Sequence, residues 1–419
     1  MSLLKTSLLN GIAVSVRMGT GLVLNKIFAI YLGPGGFAAI GQLQNFIAMV
    51  TTFAAGALNV GVTKYAAEYH DAPDLKKRLF RTAGTLTLLG SIIGSISLVI
   101  FSGSLSQWLF SGNDYTEALI WLAVCLVLIS LNALFLAVLA GQKEVRRYVV
   151  ANIASSLIGL LVSGVLAWYL GLRGAMIALS LTQALSLATT MLACGKLDWF
   201  KPAVFFGRID PQMVKLLGRF VIMAFVSAAV VPVTQILIRS YLTSSFDMEH
   251  AGYWDAMNKI STIYLALITT TLSLYYLPRI SEIKEDQVLR DEVWNTFKIV
   301  LPAVSIFALI IYLLRGVLTT ILFSSDFSKI NELMGWQLIG DVIKVTSWLL
   351  GYVLVGKAMM KIFIVTEIVF SVSLYALTVF AANQFGFKGV AMAYALNYFL
   401  HFLTMYVVVM EWQLKRKKA

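Results

Sequence analysis

The chain has 419 residues, of which 59% are hydrophobic and only 13% charged, with a mean hydropathy of +0.82. Soluble domains carry roughly 25% charged residues, so there is no room here for a sizeable water-soluble domain. The net charge of +12 sits in short segments between apolar runs, where it serves attraction to lipid headgroups rather than to nucleic acid.

In chain order, the apolar runs predict spans at 8–32, 42–66, 83–110, 118–141, 149–170, 174–194, 215–242, 253–278, 297–323, 331–356, 360–382 and 389–411. Each reaches the roughly 20 residues that a helix needs to cross a bilayer core. Helix is the expected form because lipid offers no partner to open backbone groups. The expectation is an all-α integral membrane protein with twelve transmembrane helices. No cleavable signal is expected: Arg17 and Lys26 interrupt the first run, which outlasts a signal's apolar stretch of about 7–15 residues.

Charge sets the orientation. With the N-terminus inside, the inward segments hold Lys5, Lys76, Lys77, Arg78, Arg81, Lys143, Arg146, Arg147 and the basic tail from Lys415, among others. The outward loops hold only Arg173, Lys329 and Lys388. This positive-inside bias predicts an inner or plasma-type membrane with both termini cytoplasmic.

Residues 196–214 interrupt the pattern at mid-chain. Pro202 and Pro211 stop helices there. Trp199, Phe200, Phe205 and Phe206 alternate with basic residues, as expected of a segment lying on the headgroup layer. The reading is an N-terminal six-helix bundle (1–195), a cytoplasmic interfacial linker (196–214) and a C-terminal six-helix bundle with its basic tail (215–419). Three local matches support duplication. GLRGAMIA at Gly171 pairs with GFKGVAMA at Gly386, LFSGNDY at Leu109 with LFSSDF at Leu322, and GGFAA at Gly35 with AGYWD at Ala251, at offsets of 215, 213 and 216. Six spans per half is even, so both halves keep one orientation, as parallel repeats about an axis along the membrane normal.

Charged groups inside spans are costly and mark candidate sites. Arg17 and Lys344 fall near mid-span; Lys26, Lys259 and Arg315 fall at intermediate depth. Lys64, Arg219, Lys298 and Arg239 fall near span edges, where snorkelling suffices. Asp341 and Lys344 stand i,i+3, and Asp255 and Lys259 stand i,i+4, so each pair shares a helix face. Such pairs read either as structural ion pairs or as sites whose pairing changes during transport. Glu367 has no such partner on its helix. Asn45, Thr52, Asn59 and Thr63 give the second span a polar face, and Thr6, Asn10, Arg17 and Gly21 give the first a comparable stripe. Pro232, followed by Gln235 and Arg239, suits a kinked, moving helix. The excess of cations at depth suits an anionic substrate such as a phosphate or acidic sugar. The candidate substrate-binding residues are Arg17, Lys26, Lys64, Asn59, Lys259 and Lys344; the coupling candidates are Asp255, Asp341 and Glu367.

Enzyme chemistry finds no support: the chain has no P-loop, no HExxH and no Gly-x-Ser-x-Gly. Cys125 and Cys194 fall inside apolar spans as small buried hydrophobes, and His70, His250 and His401 are scattered, so neither metal nor cofactor is expected.

Four segments carry a family resemblance: GVTKYAAEYHD (61–71), LPRISEIKE (277–285), FKIVLPAVS (297–305) and WQLIGDVIKV (336–345). Through them the chain resembles the Wzx-type flippases, the polysaccharide-transporter branch of the superfamily that also holds multidrug extruders and the lipid II flippase. The resemblance extends over essentially the whole chain. It implies two bundles related by a pseudo-two-fold around a V-shaped central cavity, and alternating access. The cargo it implies is an undecaprenyl-diphosphate-linked O-antigen or common-antigen oligosaccharide, moved from the cytoplasmic to the periplasmic leaflet of a bacterial inner membrane. Glycan polymerase and chain-length regulator proteins are then candidate partners. An ion-coupled small-molecule antiporter is the competing reading, and a glycan polymerase or ligase a third.

Overall fold

At 1.5 Å per residue, a straight helix of about 50 residues would be near 75 Å long, more than twice a bilayer core. The chain has two helical stretches of that length, and folds both. The computed structural model describes residues 3–110, 115–195, 197, 200–283, 285–357 and 359–418. The side chains of Thr6, Asn10 and Arg219, and Trp199 altogether, lie outside the described residues. Among the described residues all regular structure is helical.

The first long stretch is α1 (Leu3–Thr51), broken at Gly33, where φ is 65° and ψ −174°. A π-helical turn, Thr52–Gly56, leads into α2 (Ala57–Glu68). Then come α3 (Pro73–Phe110), α4 (Thr116–Gly141) and the second long stretch, α5 (Val145–Cys194), broken at Gly171 with φ 55° and ψ −138°. Beyond the linker lie α6 (Pro211–Ser245), α7 (Met248–Thr271), a second π turn at Leu272–Tyr276 and the short α8 (Leu277–Glu282). The chain ends with α9 (Asp286–Leu313), α10 (Arg315–Leu322), α11 (Ile330–Gly356), α12 (Met360–Phe385) and α13 (Lys388–Lys418). Among the described residues, eight helices are long and apolar enough to cross a membrane, α1 and α5 among them. The two arms of α5 carry the expected spans 149–170 and 174–194, and α6 and α7 occupy those expected at 215–242 and 253–278.

The turn in α5 has a counterpart between α12 and α13. Gly386 takes φ 63° and ψ −151°, close to Gly171. Only glycine adopts this conformation without strain. Three residues on, a Cβ at Gly174 would collide with the carbonyl of Leu166, and one at Gly389 with the carbonyl of Ala381. Residues eight apart in a continuous helix are about 12 Å apart, so in both places the chain doubles back. The two copies of the motif noted in the sequence therefore build the same reversal.

By internal contacts the chain divides into Met1–Ile236 and Leu237–Ala419. In the first unit, α1 packs on α5, and α4 on both α3 and α5. The linker does not behave as a purely superficial segment. Phe205 is fully buried, stacked on Phe80 at 5.2 Å and edge-on to Phe135 at 5.1 Å. Phe200 meets Phe135 edge-on at 5.2 Å. Gly84 lets the linker approach, since a Cβ there would strike the Phe205 carbonyl. Burying two aromatic rings against α3 and α4 outweighs leaving them at an interface. In the second unit α11 is central, packed against α7, α9, α12 and α13, over a core that includes Leu272, Tyr276, Leu349, Val353 and Met405.

Candidate functional site

The two mid-span cations occupy different settings, one in each unit. Arg17 is exposed and lines a cavity of about 520 Å³. Both arms of α1 and both arms of α5 form its wall. Arg17 is the one charged lining residue among the described residues, set amid hydroxyls and amides that include Thr20, Gln44, Thr51, Ser156, Thr182 and Gln183. Gly21 of the first-span stripe lines it too. A lone guanidinium amid neutral polar groups is chemically matched to one anionic group carried by a polyol: the fork takes phosphate or carboxylate, and hydroxyls and amides take sugar hydroxyls. Lys26 is half-buried and absent from this lining.

Lys344 is half-buried on α11. Its Nζ lies 4.9 Å from the Trp348 ring, 5.4 Å from Tyr394 and 4.8 Å from Tyr398, a three-sided aromatic cage. The expected Asp341–Lys344 ion pair is not direct. Lys344 donates to the Tyr394 hydroxyl at 3.1 Å, and that hydroxyl donates to Asp341 Oδ1 at 2.7 Å. Asp341 is fully buried and accepts at Oδ2 from Ser261 (2.6 Å) and Tyr264 (2.7 Å). Three hydroxyl donors thus replace the lost hydration of one carboxylate. Gln337 extends the chain to Ser261 at 3.3 Å. Glu367 and His401 both lie within electrostatic reach of Lys344. His401, scattered in the sequence, bonds Ser347 at 2.6 Å and packs edge-on to Phe370.

Asp255 differs from expectation. Arg239 takes its carboxylate bidentately, at 2.6 Å on each oxygen, and Arg239 is 3% exposed rather than snorkelling. The ring of Trp254 lies under the same guanidinium at 5.6 Å. Planar Arg matches a carboxylate better than the point charge of Lys259. Lys259 stays in the electrostatic neighbourhood of both groups. Arg315 opens α10 at the break after α9, bonded to the Tyr312 carbonyl at 2.9 Å. Lys64 is exposed, its Nζ 5.0 Å from the Tyr65 ring. The polar face drawn through Asn45, Thr52, Asn59 and Thr63 is interrupted, because a π turn inserts one residue and rotates α2 relative to α1 by about 100°. Thr63 instead bonds the Ala137 carbonyl on α4 at 3.1 Å.

The aromatic residues around Lys344 are the ones that charge-based reading missed. Trp348 stands i+4 from Lys344, and Tyr394, Tyr398 and His401 recur at i, i+4, i+7 on α13. That spacing marks a face. Among the described residues no group of three metal-ligating side chains forms.

A model of the polysaccharide biosynthesis protein family matches residues 3–284. The chain belongs to that family. It is 30% identical to the lipid III flippase of Escherichia coli K12 over 99% of both chains. It is 22% identical to a putative O-antigen transporter of Shigella flexneri over 97% of both. Among solved structures, it matches the inward-facing conformation of a multidrug resistance MATE family transporter of the MOP superfamily with a TM-score of 0.79, at 14% identity and 96% coverage of both chains. The inward closed lipid II flippase MurJ matches with a TM-score of 0.74, at 15% identity, over 96% of this chain and 87% of that one. The chain therefore shares the fold of these solved structures and, with several helices long and apolar enough to cross a bilayer, is a membrane protein.

Proposed function

We propose that the protein is a flippase for an undecaprenyl-diphosphate-linked oligosaccharide, an O-antigen or common-antigen repeat unit. It moves the cargo from the cytoplasmic to the periplasmic leaflet of a bacterial inner membrane. The observation that carries this reading is the 30% identity with the E. coli lipid III flippase along 99% of both chains. The Arg17 cavity supports it, because one guanidinium amid hydroxyls and amides suits a phosphorylated sugar. In this reading the chain makes twelve passes as two six-helix bundles with both termini cytoplasmic, and works by alternating access. Arg17 and Lys344 meet the anionic parts of the cargo, while the polyprenyl tail stays in lipid. Lys26, Asn59, Lys64 and Lys259 stand as supporting polar groups, and Asp255, Asp341 and Glu367 as coupling groups. Glycan polymerase and chain-length regulator proteins act downstream.

The test is surface glycan in cells lacking their own flippase. Expression of this chain is expected to restore it. Arg17→Gln and Lys344→Gln are expected to abolish it while the protein still inserts. Normal glycan in both variants would reject the site. Export of a small cationic drug without glycan restoration would favour the antiporter reading that the MATE fold also accommodates.

A further inference from the structure

A second basic concavity, of about 790 Å³, opens where the start of α3, the linker and the start of α6 meet. Its charged lining is Lys77, Arg78, Arg81 and Arg208 against Asp74 and Asp210. One pair is already spent. Arg78 donates to Asp210 and, at 3.2 Å, to Gln212. Asp210 in turn accepts from the backbone N–H of Gln212 and Met213 and so caps α6. Lys77, Arg81 and Arg208 then face a single remaining carboxylate, Asp74. Among the described residues none of these three cations has a hydrogen bond or ion pair, and Arg81 Nε is buried without an acceptor.

Packing, not pairing, holds Arg81 in place. It lies along Gly207, whose φ of 139° excludes other residues, and a Cβ there would come within 2.9 Å of Arg81 Cδ. The result is a prepared surplus of positive charge in a concave site. Basic pockets of this kind at a membrane face take anionic lipid headgroups.

The helix continues the pattern. Arg78, Arg81, Thr85, Leu89, Ile92 and Ile96 recur every three or four residues, so they share one face of α3. At Thr85 the linker crosses this face, the Thr85 hydroxyl pairing with both the carbonyl and the N–H of Gly207 at 3.1 Å; past that crossing the face is apolar and open, with Leu89, Ile92 and Ile96 47%, 40% and 55% exposed. The rise from Arg81 to Leu89 is about 12 Å. A ligand with an anionic head and an apolar tail fits this sequence of surfaces; a free ion would use only the pocket. We propose that the pocket formed by Lys77, Arg81 and Arg208 binds the phosphate headgroup of an anionic membrane lipid, with its acyl chain along the apolar face of α3. This site is separate from the Arg17 cavity and does not rest on the transport reading.

Purified full-length protein in detergent is titrated with phosphatidylglycerol, with phosphatidylcholine and with sodium phosphate, and the midpoint of thermal unfolding is read. Phosphatidylglycerol is expected to raise Tm saturably, and the other two are not. Arg208→Gln, in the linker, is expected to weaken the half-saturation point roughly fivefold, and Arg81→Gln with Arg208→Gln on the order of 25-fold. Arg146→Gln, an exposed cation elsewhere, should leave it within about twofold of the parent protein. If the double variant does not fold, Arg208→Gln alone carries the test. Equal response of Arg208→Gln and the parent protein, or no response to phosphatidylglycerol, would overturn the proposal. An equal shift with sodium phosphate would assign the pocket to a free anion and overturn the lipid.

Discussion

Tyr394 is the residue on which the second unit's polar cluster turns. Its hydroxyl donates to Asp341 and accepts from Lys344, and its ring forms one wall of the cage. Tyr394→Phe keeps the ring and removes the bridge. Hydrogen bonds to a charged group contribute roughly 1.5–3 kcal/mol, so a loss of that size in unfolding free energy is expected by denaturant or thermal titration. No change in stability would place Asp341 outside the network. Asp210 gives a pH signature. Hydrogen bonding to the Arg78 guanidinium, together with the N–H groups of Gln212 and Met213, holds its carboxyl below the usual carboxylate range despite some burial cost. A depressed folded value contributes stability above the unfolded pKa of about 3.9 and loses it as pH falls through the folded one. Asp210→Asn should therefore lower Tm at neutral pH, with the gap to the parent protein closing below about pH 4. A gap that stays constant across the titration would contradict this. The sequence showed Asp341 and Lys344 as charges at depth, because hydropathy alone locates them. It did not show what surrounds them, because Tyr394 and Tyr398 come from α13, and no local spacing brings α13 against α11.

At the scale of elements, the glycine reversals were legible because the same short motif stands twice, 215 residues apart. Their geometry makes a paired prediction. Gly386→Ala forces a side chain into a conformation that costs roughly 1–3 kcal/mol. Gly174→Ala and Gly389→Ala drive a Cβ into the Leu166 and Ala381 carbonyls, an overpacking cost of about 1–3 kcal/mol each. All three are expected to lower Tm. Gly103→Ala, in helix α3 with nothing within 4 Å of its Cβ, should be neutral or mildly stabilising. A Tm drop at Gly103 equal to that at Gly389 would remove the reversal as the cause. Two elements were not legible. The linker's alternation of aromatic and basic residues suits a headgroup layer, and it does not reveal that Phe200 and Phe205 dock on α3 and α4, because the receiving surface of Phe80, Phe135 and Gly84 is distant in sequence. The π turn at Thr52–Gly56 inserts a residue that periodicity cannot register, so the polar face drawn through it was discontinuous.

For the molecule as a whole, composition and the lengths of the apolar runs were enough for a membrane protein, since both depend on transfer energies that each residue carries wherever it folds. Family membership was legible from four segments spread along the chain. Coupling was not, because no local pattern in a sequence marks which of Asp255, Asp341 and Glu367 would change its partner. The proposed transport carries a lipid-linked glycan past the Arg17 guanidinium in its polar cavity. The most direct measurement reconstitutes the purified protein into vesicles with an undecaprenyl-diphosphate-linked oligosaccharide on one leaflet. A membrane-impermeant lectin then reports glycan arriving on the other. The expected result is protein-dependent arrival that falls at least about tenfold with Arg17→Gln, the scale of one lost charged contact. Glycan that fails to cross with the parent protein, or crosses equally well with Arg17→Gln, would contradict it.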